Sequence, residues 1–323
     1  MDPLPSKLTF VRDLGFGEGN RQQHAAAVAL NREVRVSRGT YVPRSDWETL
    51  GTRDRYLLLL RAVAATRKNQ PILSHWSAAA VHGMPIIGAW PSRVHMTVGV
   101  VAGGRSRNGV VKHSAAIDDY VEVDGLRVTT IARTVLDMAV CCPVLQATAM
   151  VDFALHRDRF NRWPPLTSHL ELLAEWNRRL PFRGHARALA AIEFGSSRAD
   201  TPIESASRVS MRQVGFPQPR LQTPFSDADG FIGEPDFEWP DFDLLGEADG
   251  DRKYLDRAFR SGRTVEQVLL DEKIREDRLR ALPRAVGRWR WSTAVNPGAL
   301  RTKLVRLGLP TGAEWGQNFE HGD

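Results

Sequence analysis

Two carboxylates on neighbouring apolar segments offer the most specific chemistry in this sequence. Asp236 precedes Phe237 in one segment, and Glu247 lies in the next, followed by Asp249 and Lys253. Carboxylate oxygens are the ligands that a hard divalent cation such as Mg²⁺ prefers. A bound cation polarises a phosphoryl oxygen and acidifies water, which phosphodiester hydrolysis requires. The segment therefore predicts a site that holds Mg²⁺ or Mn²⁺ and cleaves a nucleic-acid backbone.

Each acid or base of this segment has an expected role. Asp236 and Glu247 are the predicted metal ligands, and Asp249 is either a further ligand or the first residue of a tight Asp-Gly turn. Lys253 would orient the attacking water or neutralise charge that develops at phosphorus. Glu204, upstream, would bind a further water or a second ion. The expected catalytic residues are thus Glu204, Asp236, Glu247 and Lys253.

Capping and turn residues predict the elements that carry these acids. Thr201 suits the N-cap of a helix over residues 202–213, because proline follows at the first helical position and Glu204 lies in the first turn. A turn at residues 226–230 predicts a hairpin. The predicted strands span residues 221–225, 231–238 and 243–248, and a helix over residues 265–282 follows.

The stretch from about residue 201 to residue 291 resembles the very-short-patch-repair-endonuclease-like branch of the PD-(D/E)XK nuclease superfamily. The matching features are Glu204 on the helix, Asp236 before Phe237, Glu247-Ala248-Asp249-Gly250 with Lys253-Tyr254 after it, the basic helix from Glu272 to Arg278, and the terminal strand Arg288-Trp289-Arg290-Trp291. The resemblance implies a restriction-endonuclease-like domain with a mixed sheet flanked by helices. It also implies that the acids of the second and third strands, Asp236 and Glu247, ligate the metal.

One position departs from the superfamily pattern. The superfamily's lysine stands two residues beyond the third-strand acid, where this chain has Asp249, so Lys253 or Lys273 is expected to replace it. The acids also fit a solvated turn and a helix N-terminal carboxylate favoured by the dipole, with no catalysis at all.

Basic residues on the predicted helix over residues 265–282 have two interpretations. Lys273, Arg275 and Arg278 either contact phosphates or pair with acids three or four positions away on the same helix. Lys273 and Arg275 are our candidate nucleic-acid contacts from this helix.

The N-terminal region has the outline of a winged helix-turn-helix. A helix is predicted over residues 20–30, and an alternating basic segment over residues 33–43 bends at Gly39. The expected DNA contacts are Arg21, Gln22, Gln23 and His24 at the start of the recognition helix, with Arg35 and Arg38 on the wing. The alternative is a capped helix and hairpin whose polar groups are merely solvated.

The first half of the chain carries a second resemblance. The run from Ser74-His75-Trp76 to His82-Gly83, the strand from Arg93 to Val98 and the helix from Val128 to Ala139 resemble actinobacterial relatives of AbiEi-type antitoxins. In that family a winged helix precedes an α/β domain that helps bind promoter DNA and neutralise a nucleotidyltransferase partner. The resemblance implies DNA, and a cognate toxin protein, as partners.

At 323 residues the chain is long enough for two or three domains. We expect a winged-helix-like segment over residues 1–53, an AbiEi-like α/β domain with a helical connector over residues 54–197, a nuclease-like domain over residues 198–309, and a flexible tail over residues 310–323. The predicted fold class is therefore α/β (α+β).

Composition narrows the compartment and the partners. The 44 Lys and Arg residues exceed the 38 acids, a balance that favours a polyanionic partner. No apolar run approaches the roughly 20 residues of a membrane-spanning helix, and the N-terminus lacks the pattern of a secretory signal. We expect a cytoplasmic protein without a membrane partner. Cys141 and Cys142 are expected in the core. Core or capping roles, without zinc, are expected for His75, His82, His95 and His113.

Three functions remain open at this point. The first is a metal-dependent deoxyribonuclease whose N-terminal half recognises or positions the DNA. The second is a non-catalytic antitoxin or transcriptional regulator that keeps a degenerate nuclease domain as a scaffold. The third is an RNA-processing factor, since acids and arginines do not distinguish RNA from DNA. The acid set favours the first function, whereas the displaced lysine favours the second.

Overall fold

The computed structural model of the chain describes residues 8–14, 18–99, 106, 109–117, 119–249 and 264–312. Within these ranges the chain is a mixed α/β protein with mixed sheets flanked by helices, which confirms the predicted class. It divides into two compact units, residues 1–141 with 170–185, and residues 142–169 with 186–323. None of the helices in the described ranges is both long and apolar enough to cross a lipid bilayer.

The helices and strands are numbered here in chain order. The helices are α1 Glu18–Ala29, α2 Arg44–Thr49, α3 Thr52–Ala65, α4 His75–Val81, α5 Ile131–Cys141, α6 Val144–Leu155, α7 His169–Arg179, α8 His185–Phe194, α9 Pro202–Gln213, α10 Val265–Arg280, α11 Trp291–Ala294 and α12 Pro297–Arg306. The strands are β1 Thr9–Phe10, β2 Glu33–Ser37, β3 Thr40–Pro43, β4 Ile72–Leu73, β5 Val94–Val98, β6 Val110–Ser114, β7 Val121–Val123, β8 Leu126–Val128, β9 Arg220–Leu221, β10 Phe225–Asp227, β11 Gly230–Gly233, β12 Phe237–Trp239, β13 Leu244–Asp249 and β14 Ala285–Arg290.

The N-terminal helix and hairpin form as predicted. Helix α1 precedes the antiparallel pair β2 and β3, which turns at Gly39 with a φ of 72° and is extended by β1 on the other edge of β3. Glycine suits this turn because it carries no Cβ to oppose a positive φ. Val42, Leu50 and Leu58 form the small core beneath the hairpin.

A five-stranded mixed sheet forms the rest of the first unit. Its strand order is β6-β5-β4-β8-β7, with β5 parallel to β6 and β4 parallel to β8. Leu73 pairs with Met96 on one side and with Val128 on the other, so it belongs to the sheet centre. Helix α4 follows this strand and begins at His75. Cys141, expected in the core, is exposed at the end of α5, whereas Cys142 is buried.

Three histidines of the first unit lie in one stack. The His75 and His113 rings are 3.5 Å apart and nearly parallel, and His95 Nδ1 is 3.0 Å from His113 Nε2. Asp137 Oδ2 lies 3.6 Å from His75 Nδ1, and Arg133 Nε donates to Asp137 Oδ1 at 2.7 Å. Burial lowers the pKa of His75 to about 2 and that of His95 to about 4, so both rings are neutral at physiological pH.

The second unit is built around a four-stranded mixed sheet. Its order is β14-β13-β12-β9; β13 is parallel to β14, and the other pairs are antiparallel. The hairpin at residues 226–230 forms as predicted, but β10 and β11 make a separate two-stranded sheet. The two long strands predicted here, over residues 221–225 and 231–238, are each interrupted. Pro224 and Pro235 lie at these interruptions and lack the N–H that a continuous ladder needs.

Aromatic packing fixes the distance between this sheet and α9. The Phe237 ring stacks on Trp289 at 5.3 Å, and Trp289 Nε1–H donates to Ser207 Oγ of α9 at 2.8 Å. Gly246 lies beneath both tryptophans, since a Cβ there would approach Trp289 Cη2 to 2.6 Å and Trp239 Cζ3 to 3.1 Å. A larger residue at Gly246 would therefore push the tryptophans away from the strand that carries Glu247.

A buried ion pair places α6 in the second unit. Asp152, 1 % exposed, accepts from Arg208 Nη1 and Ser205 Oγ at 2.7 Å each, and from the Ser196 N–H at 2.7 Å. These contacts join α6 to α9 and to the turn after α8. The domain boundary expected at residue 197 consequently falls inside the second unit, and residues 142–169 belong with the later sheet.

The Asp152 contacts predict a large effect of removing the arginine. Arg208→Met leaves a buried carboxylate without its cation and should lower the free energy of unfolding by about 3–5 kcal/mol in urea denaturation. Arg212→Met, an exposed position one turn later on the same helix, is the matched control and should change it little. Asp152→Asn added to Arg208→Met should recover part of the loss. An equal loss in both single variants would contradict this account of the ion pair.

The histidine stack predicts acid sensitivity of the first unit. Between pH 6.5 and about 4 the unfolded chain takes up protons at His75 and His95 that the folded chain does not, so stability falls as pH falls. Asp137, whose pKa burial raises to about 6, takes up a proton in the folded state and opposes this trend. His95→Gln should reduce the fall in melting temperature between pH 7 and pH 4. The exposed His169→Gln control should keep the wild-type fall; identical curves for all three proteins would disprove the assignment.

Candidate nuclease-like site

Strand register brings Asp236 and Glu247 to neighbouring positions. Phe237 pairs with Gly246 in the antiparallel pair of β12 and β13, so the next position outward aligns Asp236 with Glu247. Both side chains line one groove of about 560 Å³, which also holds Glu204, Asp249 and Arg275. Three of the four predicted catalytic residues therefore share one groove.

Glu204 lies in the first turn of α9 and is fully buried. Its Oε2 accepts the Asp200 N–H at 2.9 Å, and its Oε1 accepts from Thr201 Oγ1 at 2.6 Å. Thr201 was expected to cap the helix through its hydroxyl, but this hydroxyl donates to Glu204 and accepts no backbone N–H. The Glu204 carboxylate accepts the Asp200 N–H just before the helix. The Thr201 hydroxyl therefore orients Glu204 and does not cap the helix.

Gln222 connects two of the acids. Its Nε2 donates to Glu204 Oε2 at 3.1 Å and to Asp236 Oδ1 at 3.3 Å. The remaining Asp236 oxygen, Oδ2, accepts the Ala248 N–H of β13 at 2.7 Å. Gln222 adopts a φ of 49°, a left-handed conformation that costs free energy in a non-glycine residue and is often found at functional sites. Nothing in the local sequence marks Gln222, which follows the short edge strand β9.

Burial and a neighbouring charge keep Glu204 protonated. Loss of solvation and the carboxylate of Asp236 raise the pKa of Glu204 to about 8, outweighing the hydrogen bonds from Thr201 and Asp200 that favour the ionised form. Two acids that share a donor between them titrate as a pair. At neutral pH the pair therefore retains a proton.

Two arginines neutralise Glu247. Arg288, its register neighbour on β14, donates from Nε and Nη2 to Glu247 Oε2 at 2.9 and 2.6 Å. Arg275 of α10 approaches Glu247 Oε1 at 2.8 Å. Arg288 also bonds Glu276 Oε2 at 2.5 Å, which ties it to α10. The sequence placed Arg288 on the terminal strand but gave no sign that it faces Glu247.

Two arginines of α10 contact acids outside their own helix. Arg275, predicted to contact phosphate or to pair within its helix, forms an ion pair with the site acid Glu247, and its phosphate contact stays a prediction. Arg278 pairs with Asp227 of the β10–β11 hairpin. Lys273 is exposed, and Lys253, the expected replacement for the superfamily lysine, lies outside the described residues.

The donor set suits a hard divalent cation only in part. Asp236 and Glu247 supply opposed carboxylates, the donor chemistry that Mg²⁺ or Mn²⁺ takes. Among the described residues, however, no three His, Cys, Asp or Glu side chains are grouped so as to hold a metal ion. A cation at Glu247 would have to displace an arginine, either Arg275 from Oε1 or Arg288 from Oε2. The metal-ligand roles of Asp236, Glu247 and Asp249 stay predictions.

The expected DNA contacts of the first unit lie on its helix and hairpin. Arg21 and Gln22 are exposed on α1, and Arg35 and Arg38 are exposed on the β2–β3 hairpin. His24 differs, because its Nδ1 lies 2.6 Å from Glu33 Oε2 and its ring packs edge-on against Tyr41. His24 therefore holds the helix against the hairpin, and its side chain is only 12 % exposed.

Comparison with known proteins gives relatives but no family. No protein-family model matches the chain. Two curated proteins from strains of Mycobacterium tuberculosis, the uncharacterized proteins MT2308 and Rv2248, are each 31 % identical to it over 140 residues. The match covers 43 % of this chain and 49 % of each relative. The chain thus spans about half the length of the curated relatives it matches.

The protonated state of Glu204 predicts a distinctive dependence of stability on pH. Between pH 4.5 and about 8 the folded chain holds a proton that the unfolded chain has released, so this group's contribution to stability falls as pH rises. Glu204→Gln mimics the protonated acid and should raise the melting temperature relative to wild type at pH 9, but not at pH 4.5. The exposed Glu193→Gln on α8 is the control. A Glu204→Gln effect that is the same at both pH values would argue against a raised pKa.

Proposed function

We propose that this chain is a DNA-interacting protein whose second unit is a PD-(D/E)XK nuclease-like domain acting on phosphodiesters with Mg²⁺ or Mn²⁺. One observation carries the proposal. Glu204 of α9, Asp236 immediately before β12 and Glu247 of β13 line the same groove. Acids converge at a concave surface at a cost in charge repulsion, which is a reason to suspect a functional site.

The order of elements supports the same proposal. In the second unit the main-sheet strands β9, β12 and β13 follow α9, with the β10–β11 hairpin between β9 and β12. Helix α10 and the parallel strand β14 come later in the chain. The superfamily resemblance implies a mixed sheet flanked by helices, with its acids on the second and third strands. Counting β9 as the first strand of the main sheet, Asp236 precedes the second and Glu247 lies on the third.

Each residue of the site would have a separate role. A bound divalent cation would supply polarisation of a phosphoryl oxygen and a more acidic water, and Asp236 with Glu247 would hold it. The Ala248 N–H and Gln222 fix the direction of the Asp236 carboxylate. Glu204, joined to Asp236 through Gln222, would bind a further water or a second ion.

A specific observation favours the non-catalytic alternative. Arg275 and Arg288 already neutralise Glu247, as a cation would. If neither arginine yields, the second unit is a scaffold, and the protein acts as an antitoxin or transcriptional regulator. Its first unit would then bind promoter DNA and a cognate toxin in the cytoplasm. This alternative predicts DNA binding without turnover.

A plasmid-nicking assay with Mn²⁺ tests the proposal. The wild-type protein should nick supercoiled DNA in Mn²⁺ and not in EDTA. Asp236→Ala should lower the rate on the order of 100-fold, because it removes a ligand of the cation that stabilises the transition state. Asp241→Ala, an exposed acid beyond the other end of β12, is the matched control and should retain activity.

Arg275→Met separates the two candidate functions. If Arg275 competes with the cation, its removal should tighten Mn²⁺ binding measured by electron paramagnetic resonance and speed nicking at low Mn²⁺. DNA binding by all variants, with no nicking and no Mn²⁺ bound even in Arg275→Met, would overturn the hydrolytic proposal in favour of the scaffold.

A further inference from the structure

A second concave surface of the same unit is rich in arginine. This arginine groove of about 780 Å³ lies among the ends of α8 and α9 and strand β9. Four arginines line it, and Glu193 is the single acid among the lining residues. The arginines are Arg198, Arg208, Arg212 and Arg220. Such an excess of one sign in a concavity attracts a ligand of the opposite sign.

Three of these arginines have no acidic partner among the described residues. Arg208 is buried and compensated by Asp152, but Arg198, Arg212 and Arg220 are exposed and form no ion pair within the described ranges. Arg198 Nη1 is directed along β9 by a 3.4 Å contact with the Leu221 carbonyl oxygen. The Arg212 guanidinium lies 4.7 Å over the Phe194 ring. Contacts to neutral groups thus orient two of the three cations and leave their charge unmatched.

The arginine groove is connected, through a third and smaller groove, to the groove lined by Glu204, Asp236 and Glu247, which we call the carboxylate groove. Arg198 also lines a smaller groove of about 370 Å³ that contains Arg157 and Arg159. That smaller groove shares Asp200, Gln222 and Glu234 with the groove of Asp236 and Glu247. The three concavities therefore follow one another across the second unit, basic at one end and acidic at the other. The acids at one end would bind a cation, and the arginines at the other end would bind phosphates that flank the cation site.

The chemistry of the arginine groove selects a phosphate backbone. The guanidinium groups of Arg208 and Arg212 lie over the ring of Phe194, at 4.5 and 4.7 Å, so the aromatic side chain that lines the groove already contacts two cations. Guanidinium groups bind phosphate through paired N–H donors and do not read sequence from it. We infer that the arginine groove binds the backbone of a DNA strand on one side of the phosphodiester at the carboxylate site. This inference rests on the proposed function, whose substrate it extends.

Salt-dependent DNA binding tests this inference. Binding of a labelled DNA duplex is measured by fluorescence anisotropy in EDTA, over a series of NaCl concentrations. Arg198→Gln with Arg220→Gln should weaken binding and reduce the slope of log K against log salt by about 2, because each phosphate contact contributes about 1. The matched control is Arg301→Gln with Arg306→Gln, which removes two exposed charges from α12 and should leave the slope near wild type.

Several outcomes overturn the inference. Equal slopes in the double variant and wild type, or equal losses in the double variant and its control, would show that the groove does not contact DNA. Tighter binding of an RNA of the same sequence would overturn the choice of DNA. Thermal melting of each variant confirms that it folds. If Asp236→Ala loses nicking but keeps the wild-type slope of log K against log salt, both the hydrolytic proposal and the arginine-groove inference are supported. If the wild-type protein does not nick DNA, but the arginine double variant lowers the slope, only the hydrolytic proposal is overturned.

Discussion

The second unit depends on the compensation of one buried charge. Asp152 is 1 % exposed, and an isolated carboxylate in such surroundings would cost several kcal/mol. Arg208, Ser205 and the Ser196 N–H supply what water would otherwise supply. Because these donors come from α9 and from the turn before it, the requirement fixes α9 against α6. Helix α9 also carries Glu204 and Ser207, and the Ser207 hydroxyl accepts a hydrogen bond from Trp289 of the sheet.

The carboxylate groove contains three acids whose charge must also be compensated, and each is stabilised in a different way. Glu204 remains protonated, since burial and Asp236 oppose its charge. Asp236 stays between an amide side chain and a backbone N–H. Glu247 is paired with two guanidinium groups, those of Arg275 and Arg288. A metal ion that binds Glu247 must compete with Arg275 and Arg288, so the free energy of these two ion pairs controls cation binding at the site.

The arginine excess has a similar explanation. The composition alone favours a polyanionic partner, but several arginines serve internal acids. Arg208 compensates Asp152, Arg284 bonds Glu238 at 3.0 Å, and Arg288 bonds Glu247. What bears on a ligand is where arginines without an acidic partner in the described ranges lie together. Arg198, Arg212 and Arg220 line one groove of the second unit, which net charge does not show.

The sequence by itself determined the local elements and the convergence of the acids. Helix α9 has its predicted bounds, and the hairpins at Gly39 and residues 226–230 form. Asp236 immediately precedes β12, and Glu247 lies on the adjoining strand β13. Capping residues, turn glycines and apolar runs act over a few positions, so they can be read without a structure. Tertiary structure alone decided the protonation of Glu204, the bridge through Gln222, the partners of Arg275 and Arg288, and the place of residues 142–169. Each of these depends on burial or on contacts between residues distant in sequence, and neither is specified by local patterns.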